Sequence, residues 1–331
     1  MPEVRIAEGL AGLRSLKVDW EHLHRSSGAG LFQSFAWAEA WARAIGKFER
    51  DIRILTVIGG DQHCIVPLIM QHHLGVRRLR WLGVEVTDNC DVVASGGWDI
   101  AALAAAIRMH LPPADIVELR QIRTGSLASR LFDTAGQPDM PCPYIAVAKN
   151  RFPKDILYAE RRAAASGKLT YEVTTDAGDR ADIAAFVVAQ KRLALLRQGK
   201  STAEFDLTVT PFLRSLAELE FPPGISPYFS RLILDGQTMA AQIAFIEGGT
   251  LLYYLPAFDF MHRLHSPGHL LILNLLRDAA AMGLEAVDLL RGEEPYKFKW
   301  TDSMRVLTRA GWPVTLRGRG FAFAQRIKKQ I

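Results

Sequence analysis

Between Asp288 and Trp300 the chain reads DLLRGEEPYKFKW, a run in which both signs of charge are interleaved with aromatic rings. A carboxylate in such a turn can accept a proton from an attacking amine, and a lysine or a tyrosine can stabilise the oxyanion of a tetrahedral intermediate. Lys297, Tyr296, Glu293 and Asp288 are therefore candidates for catalysis, with Arg291 beside them as a candidate for holding substrate. A surface turn with local ion pairs would explain the charges, but it explains Tyr296, Phe298 and Trp300 among them less readily. The second group lies upstream, in FMHRLHSPGH from Phe260 to His269. Ser266 precedes Pro267 at what reads as a first helical position, and Gly268 allows a ligand close to the backbone. The free amides of that helix start suit an anion, with positive charge nearby from Arg263, His262, His265 and His269.

These two groups need a frame, and the residues around them supply one. Apolar residues recur at helical spacing through Gly268–Met282 and stop at Gly283, which predicts a helix ended by a tight turn. Ala286–Leu290 reads as a short buried strand and Leu251–Phe258 as another, so strand, loop, helix, strand and charged turn form a βαβ unit. Open sheets place ligands at the carboxyl ends of such strands. Tyr254, on the first of these strands, is a candidate to touch substrate. Lys191, on the polar side of a helix expected over 181–198, is another.

The order helix, hairpin, strand, helix, strand occurs twice. In the first half, 51–58 and 63–71 flank a Gly-Gly-Asp turn and read as a hairpin, followed by a strand at 76–82, a helix at 100–110 and a strand at 116–120. In the second half the same order runs from 181 to 290. This predicts an α+β, mixed α/β protein of two similar lobes, at 1–148 and 181–331, joined by a basic connector over 149–180 that holds a helix at 155–166. Phe32, Gln33 and Trp37 open a helix in the first lobe. Trp37, Trp41 and Ile45 recur every four residues, the usual spacing of core, so Phe32, Gln33 and Trp37 are candidates for a substrate groove only as the less common outcome. Asp88 and Asp91 sit at a strand-to-loop transition.

At 331 residues and 49% hydrophobic, the chain can bury two cores. Neither a secretory leader nor a run of about 18 apolar residues is found, so a cytoplasmic location is expected. Three scattered cysteines, Cys64, Cys90 and Cys142, read as buried free thiols, and no metal is expected. GxSxG, HExxH, Walker A and a GxGxxG after a strand are all missing, which removes the simplest signatures of serine hydrolases, zinc proteases, nucleotide triphosphatases and dinucleotide oxidoreductases. The net charge of +5 favours anionic partners without choosing among them. The tail from Trp312, with Arg317, Arg319, Arg326, Lys328 and Lys329, is expected as a basic helix or a frayed end.

The string YLPAFDFMHRLHSPGH, followed by DLLRGEEPYKFKW, resembles the C-terminal signature of the CelD-like (BioF-like) acetyltransferase group, and WEHL with FQSFAWAEAW resembles its opening. The resemblance spans most of residues 18–302. It implies tandem GNAT lobes, each a mostly antiparallel mixed sheet flanked by helices, and kinship with FemAB-type aminoacyltransferases. It also implies an N-acyltransferase that takes an acyl group from acyl-CoA, as co-substrate, to an amine, often on a sugar of an exopolysaccharide, cellulose or envelope precursor. A lipid-linked acceptor and peripheral association with the inner face of a membrane would follow. By motif position, Arg263, Ser266, Pro267, Gly268 and His269 would cradle the pyrophosphate, Lys297 would lie near the reacting carbonyl, and Asp88 with Asp91 in the first lobe would bind the acceptor's hydroxyl or amino groups. RLHSPGH departs from the usual pyrophosphate loop in having one glycine only. Aminoacyl transfer from charged tRNA and a non-catalytic binding module of polysaccharide synthesis are the rival readings.

Overall fold

The computed structural model describes residues 2–149, 152–174 and 176–328. Arg151 and Lys329, which belong to the expected basic connector and tail, lie outside the described residues. The chain forms two compact units, residues 1–140 with 306–331, and residues 141–305. The division thus differs from lobes at 1–148 and 181–331, for reasons that emerge from the strand order.

The first unit begins with β1 (Glu3–Glu8), α1 (Gly9–Ser15), α2 (Lys17–Ser27) and α3 (Phe35–Ala44). Ser34 caps α3 by accepting from the Trp37 amide. Next come the hairpin β2 (Ile52–Gly59) and β3 (Gln62–His73), then β4 (Val76–Trp81), the short β5 (Val93–Ala94), α4 (Ile100–His110), β6 (Ile116–Arg123) and α5 (Leu127–Leu131). Leucines and valines alternating along β2, β3, β4 and β6 put one face of this sheet against Leu103 and Ile107 of α4 and Leu131 of α5.

The second unit takes β7 (Pro138–Ala146) from residue 141 onward, then α6 (Lys154–Ser166), β8 (Leu169–Thr174), α7 (Ala177–Arg197), α8 (Thr210–Ser215), β9 (Ile225–Leu234), β10 (Gln237–Glu247), β11 (Thr250–Phe258), α9 (Pro267–Ala281) and β12 (Ala286–Asp288). Helix α9 is apolar nearly all round: Leu270, Leu271, Leu273, Leu275 and Leu276 are all buried. Such a helix must be covered on both sides, by the sheet and by α6, whose Ile156, Ala159 and Ala163 join the same core. Each leucine so buried contributes roughly 1.5–3 kcal/mol. The chain closes with β13 (Met304–Pro313) and α10 (Leu316–Lys328), which belong from Val306 onward to the first unit.

In the first unit the strand order is β1-β2-β3-β4-β6-β13, and in the second β7-β12-β11-β10-β9-β8. All neighbours whose register is described are antiparallel except β4 with β6 and β11 with β12, the parallel pairs joined through α4 and α9. The mixed α/β, mostly antiparallel class and the internal repeat expected from sequence are both present. The strand that follows β6 in sequence nevertheless pairs with β12, and the strand that follows β12 pairs with β6. That is why residues 306–331 belong with the first unit. The expected connector also contains a strand, β8, at the edge beside β9.

Candidate functional site

Where β11 and β12 run parallel, the pairing covers only Thr250 with Ala286, Leu251 with Val287 and Leu252 with Asp288. Beyond Leu252, β11 continues to Phe258 while the other chain turns away, so the pair opens at its carboxyl end. Helix α9 starts at this same end, because the loop after β11 leads straight into it. Between β10 and β11 the register slips: Ile243 opposes Leu255 and Phe245 opposes Leu252, so Tyr253 and Tyr254 together face Ala244. This β-bulge on β11 breaks the ladder beside the opening and re-aims its side chains. Tyr253 goes into the core, whereas Tyr254 is half-buried with its ring 5.9 Å from Phe245.

At the start of α9, Ser266 adopts a left-handed backbone (φ 54°), and its hydroxyl does not cap the helix. Pro267 brings no amide, so the positive end of the helix dipole is left to a ligand. The Nδ1 atom of His265 is buried without a partner. A Cβ on Gly268 would meet nothing nearer than Phe258 Cδ1 at 3.8 Å, so close backbone approach is open there. The indole of Trp300 donates to His269 Nδ1 at 3.1 Å. Since an indole N–H can only donate, this bond leaves the proton of neutral His269 on Nε2, where it serves as a donor. Burial, and then the nearby Lys299 charge, hold the His269 pKa below its ordinary value and favour that neutral form. Arg263 is exposed, stacks 4.6 Å over Phe260, and donates to the Phe260 carbonyl at 3.3 Å. Arg162 of α6 holds the loop through the Leu264 carbonyl. The described residues thus fit a bound pyrophosphate, with one glycine where the usual loop has more.

The charged turn after β12 is built differently from its sequence reading. Lys297 is 3% exposed, and its ammonium donates to the carbonyls of Arg291 (2.7 Å) and Leu290 (3.3 Å) and pairs with Glu294 (2.9 Å). Its three donors are therefore used inside the turn, where Leu290 holds a left-handed backbone at φ 57°. The Asp288 carboxylate accepts from the Leu290 amide (2.8 Å) and from Arg305 (2.9 Å). As an acceptor already engaged by a cation, it is a poor proton acceptor, so the structure points away from Asp288 as the base and from Lys297 as a direct donor to an oxyanion. Glu293 is exposed. Tyr296 is half-buried, its ring 6.4 Å from His269, and burial with the Glu294 charge pushes its pKa well up, so it remains a hydroxyl donor. Arg291 is half-buried in the same turn.

Lys191 of α7 joins this group. Burial first of all, and then the Lys297 charge, lower its pKa against the opposing effect of Glu294. No hydrogen bond or ion pair holds its ammonium among the described residues. A single lysine on a charged helix gives no such signal in sequence, because what sets it apart is the approach of the turn 294–297.

In the first unit, Gln33 donates to the Asn89 carbonyl, Trp37 donates to Thr87 Oγ1 at 3.1 Å, and Phe32 packs edge-on against Trp37 at 5.0 Å. Asp88 is 5% exposed, and Asp91 accepts from the amides of Val92 (2.8 Å) and Ala128 (2.7 Å), capping the start of α5. These side chains hold the segment 84–92 in place: Gln33 and Trp37 take the structural role that the core spacing favours over a substrate groove, and Asp91 is engaged by backbone amides instead of being left to bind hydroxyl or amino groups. That segment also closes the first unit's own parallel pair: past Arg80 and Glu118, Cys90 bridges to Ile122 and its amide donates to the Gln121 carbonyl at 2.8 Å. All three cysteines are buried and free, and no cluster of His, Cys, Asp and Glu able to hold a metal occurs among the described residues. No described helix is long and apolar enough to cross a membrane.

Residues 150–298 match the family model described as an acetyltransferase (GNAT) domain, which covers the second unit from α6 to the charged turn. Among solved structures, the chain is similar to the C-terminal domain of a protein described as a lysylphosphatidylglycerol synthetase from Agrobacterium fabrum, with TM-score 0.60, 11% identity and 95% of each chain covered. It is similar to FemX at TM-score 0.59 and 11% identity, over 93% of this chain and 98% of that one. It is likewise similar to L-PGS from Bacillus licheniformis at TM-score 0.56 and 12% identity, over 91% and 93% of the two chains. At such identities the likeness establishes a shared fold across both units. Curated protein sequences yield no significant match.

Proposed function

We propose that the protein is an N-acyltransferase that moves an acyl group from acyl-CoA to an amine, with its donor site in the second unit. The observation that carries this reading is the opening of the β11–β12 pair next to the uncapped start of α9, inside the segment that matches the acetyltransferase domain. Acyl-CoA would supply an activated thioester carbonyl. The amides at Ser266–His269, the Nε2–H of His269 and the exposed Arg263 would hold the pyrophosphate. Lys191, whose ammonium makes no hydrogen bond or ion pair among the described residues, and the Tyr296 hydroxyl would donate to the developing oxyanion, while Glu293 would accept the amine's proton. Lys297 and Asp288 would act by keeping the turn in shape. The acceptor expected from the CelD-like signature is an amino sugar of an envelope or exopolysaccharide precursor.

A second reading has support of its own. The FemAB kinship implied by the signature makes the donor an aminoacyl group carried on tRNA, and the solved structures that share the fold over more than 90% of this chain include FemX and L-PGS. One titration separates the two. Acetyl-CoA added in a calorimeter should bind the wild type, and Gly268→Trp, which fills the approach to the α9 start, should abolish binding while the melting temperature holds. Absence of heat at millimolar acetyl-CoA, together with salt-sensitive binding of charged tRNA, would overturn the acyl-CoA reading in favour of the second.

A further inference from the structure

The first unit contains a cavity of about 840 Å³ on the sheet face opposite its apolar core. Four arginines line it, Arg78 and Arg80 of β4, Arg120 of β6 and Arg309 of β13, against two carboxylates, Glu118 and Asp133. Ala322 and Gln325 of α10 form part of its wall. The helix is latched over the sheet by Asp115, which accepts from Thr315 Oγ1 at 2.8 Å while the Val314 amide donates to the Asp115 carbonyl at 2.8 Å. Gly318 lies so close that a Cβ there would overlap the Asp115 carbonyl oxygen.

Three of the arginines each have one carboxylate partner, and the fourth has none among the described residues. Arg78 pairs with Glu118, Arg80 with Glu85 at 2.8 Å, and Arg120 with Asp139 at 2.6 Å. The Nε atom of Arg80 is buried without a hydrogen-bond acceptor. Arg309 has no ion pair or side-chain hydrogen bond among the described residues. Its position is set by a β-bulge: Thr308 faces Ile122 and Ala310 faces Leu119, so Arg309 alone faces Arg120 and Gln121. Gln121 accommodates the extra residue with a left-handed backbone at φ 59°, a strained conformation for a non-glycine in mid-strand. Like charges on opposed strands repel. A fold that sets two guanidiniums opposite one another, beside a third with an unused buried donor, is complemented by an anion with several acceptor oxygens.

We propose that this cavity is a binding site for a phosphorylated small molecule, whose phosphate oxygens take the free donors of Arg80 and Arg309 next to Arg78 and Arg120. Its volume is that of a nucleotide-sized ligand. The proposal is independent of the acyltransferase reading, since none of these residues belongs to the second unit. Inorganic pyrophosphate and ADP are the probes, titrated by calorimetry into the wild type, Arg309→Ala, Arg309→Glu and Gly268→Trp. The expected result is binding in the wild type that survives Gly268→Trp, weakens at least tenfold in Arg309→Ala and is lost in Arg309→Glu. Because Arg309 is exposed, both variants should melt with the wild type. Failure of both probes to bind the wild type, or equal affinity in wild type and Arg309→Glu, would overturn the proposal. So would a variant that loses only flotation with phosphatidylglycerol vesicles, which would assign the arginines to a lipid surface.

Discussion

Replacing Lys297 by methionine tests whether this lysine is a structural pin of the turn. Methionine keeps the length and apolar stem of the side chain, so the cavity term is small. What is lost is the ammonium. The 2.7 Å bond to the Arg291 carbonyl is of the charge-assisted kind, worth about 2 kcal/mol, and the longer 3.3 Å bond to the Leu290 carbonyl adds about 1 kcal/mol. The pair with Glu294 contributes less than about 1 kcal/mol, because that carboxylate is 54% exposed. Lys297→Met should therefore destabilise the second unit by about 3 kcal/mol, a drop of roughly 6–12 °C in its melting temperature for a unit of this size. Glu294→Gln should lower it by no more than about 3 °C. Differential scanning calorimetry at pH 7, backed by guanidinium unfolding, reads both. A melting temperature for Lys297→Met within about 2 °C of wild type would refute the reasoning, as would an equal loss in the two variants. Either outcome would return Lys297 to the list of groups free to meet a substrate.

Lys191→Met should behave in the opposite sense. With its pKa lowered below 10.5 by burial, Lys191 binds its proton less readily folded than unfolded, so its contribution to stability is fully present above pH 10.5 and is lost as the pH falls through the folded pKa. The variant should melt higher than wild type at pH 7, with the difference shrinking toward pH 10.5, and should lose acyl transfer; a lower melting point at pH 7 would contradict the assignment. Gln242 lies at the centre of β10, fully buried, with neither amide atom hydrogen-bonded, between Ser230 and Pro256 on the flanking strands. An unsatisfied buried amide costs about 1–3 kcal/mol, so Gln242→Met should stabilise by about that much in guanidinium unfolding, and a destabilised variant would mean that the amide has a partner. Gly318→Ala should loosen α10 from the first unit, because its methyl would meet the Asp115 carbonyl; limited proteolysis should then cut after residue 316 faster than in wild type, and unchanged cleavage would count against the latch.

Much of the frame follows from local pattern. The hairpin of β2 and β3, the long strands β9 to β11 and the helix α9 were all legible, because each has its own periodicity and its own glycine or proline punctuation. Five strands were not, the two-residue β5 among them. Strand β7 carries three prolines, Pro138, Pro141 and Pro143, which argue against a strand when read alone. Strands β1 and β8 lie at sheet edges with mixed burial, and β13 mixes Arg305, Thr308 and Arg309 with Val306, Leu307 and Trp312 without a period of two, so none stands out by hydrophobic pattern.

By itself the sequence determined that the chain is a repeated mixed α/β protein, that a helix begins at Pro267 after a loop rich in positive charge, and that a charged aromatic turn follows β12. These are local matters, decided by side-chain period, by the proline at a first helical position and by glycine stops within a few residues. Only the tertiary structure decided which strand each sheet receives beside β6 and β12, that Tyr253 and Tyr254 share a bulge, that Lys297 spends its donors on its own turn while Lys191 keeps its own, and that four arginines from three strands line one cavity. Each of these depends on residues far apart in sequence, and backbone pairing, charge and burial act between them only once the chain has closed those distances.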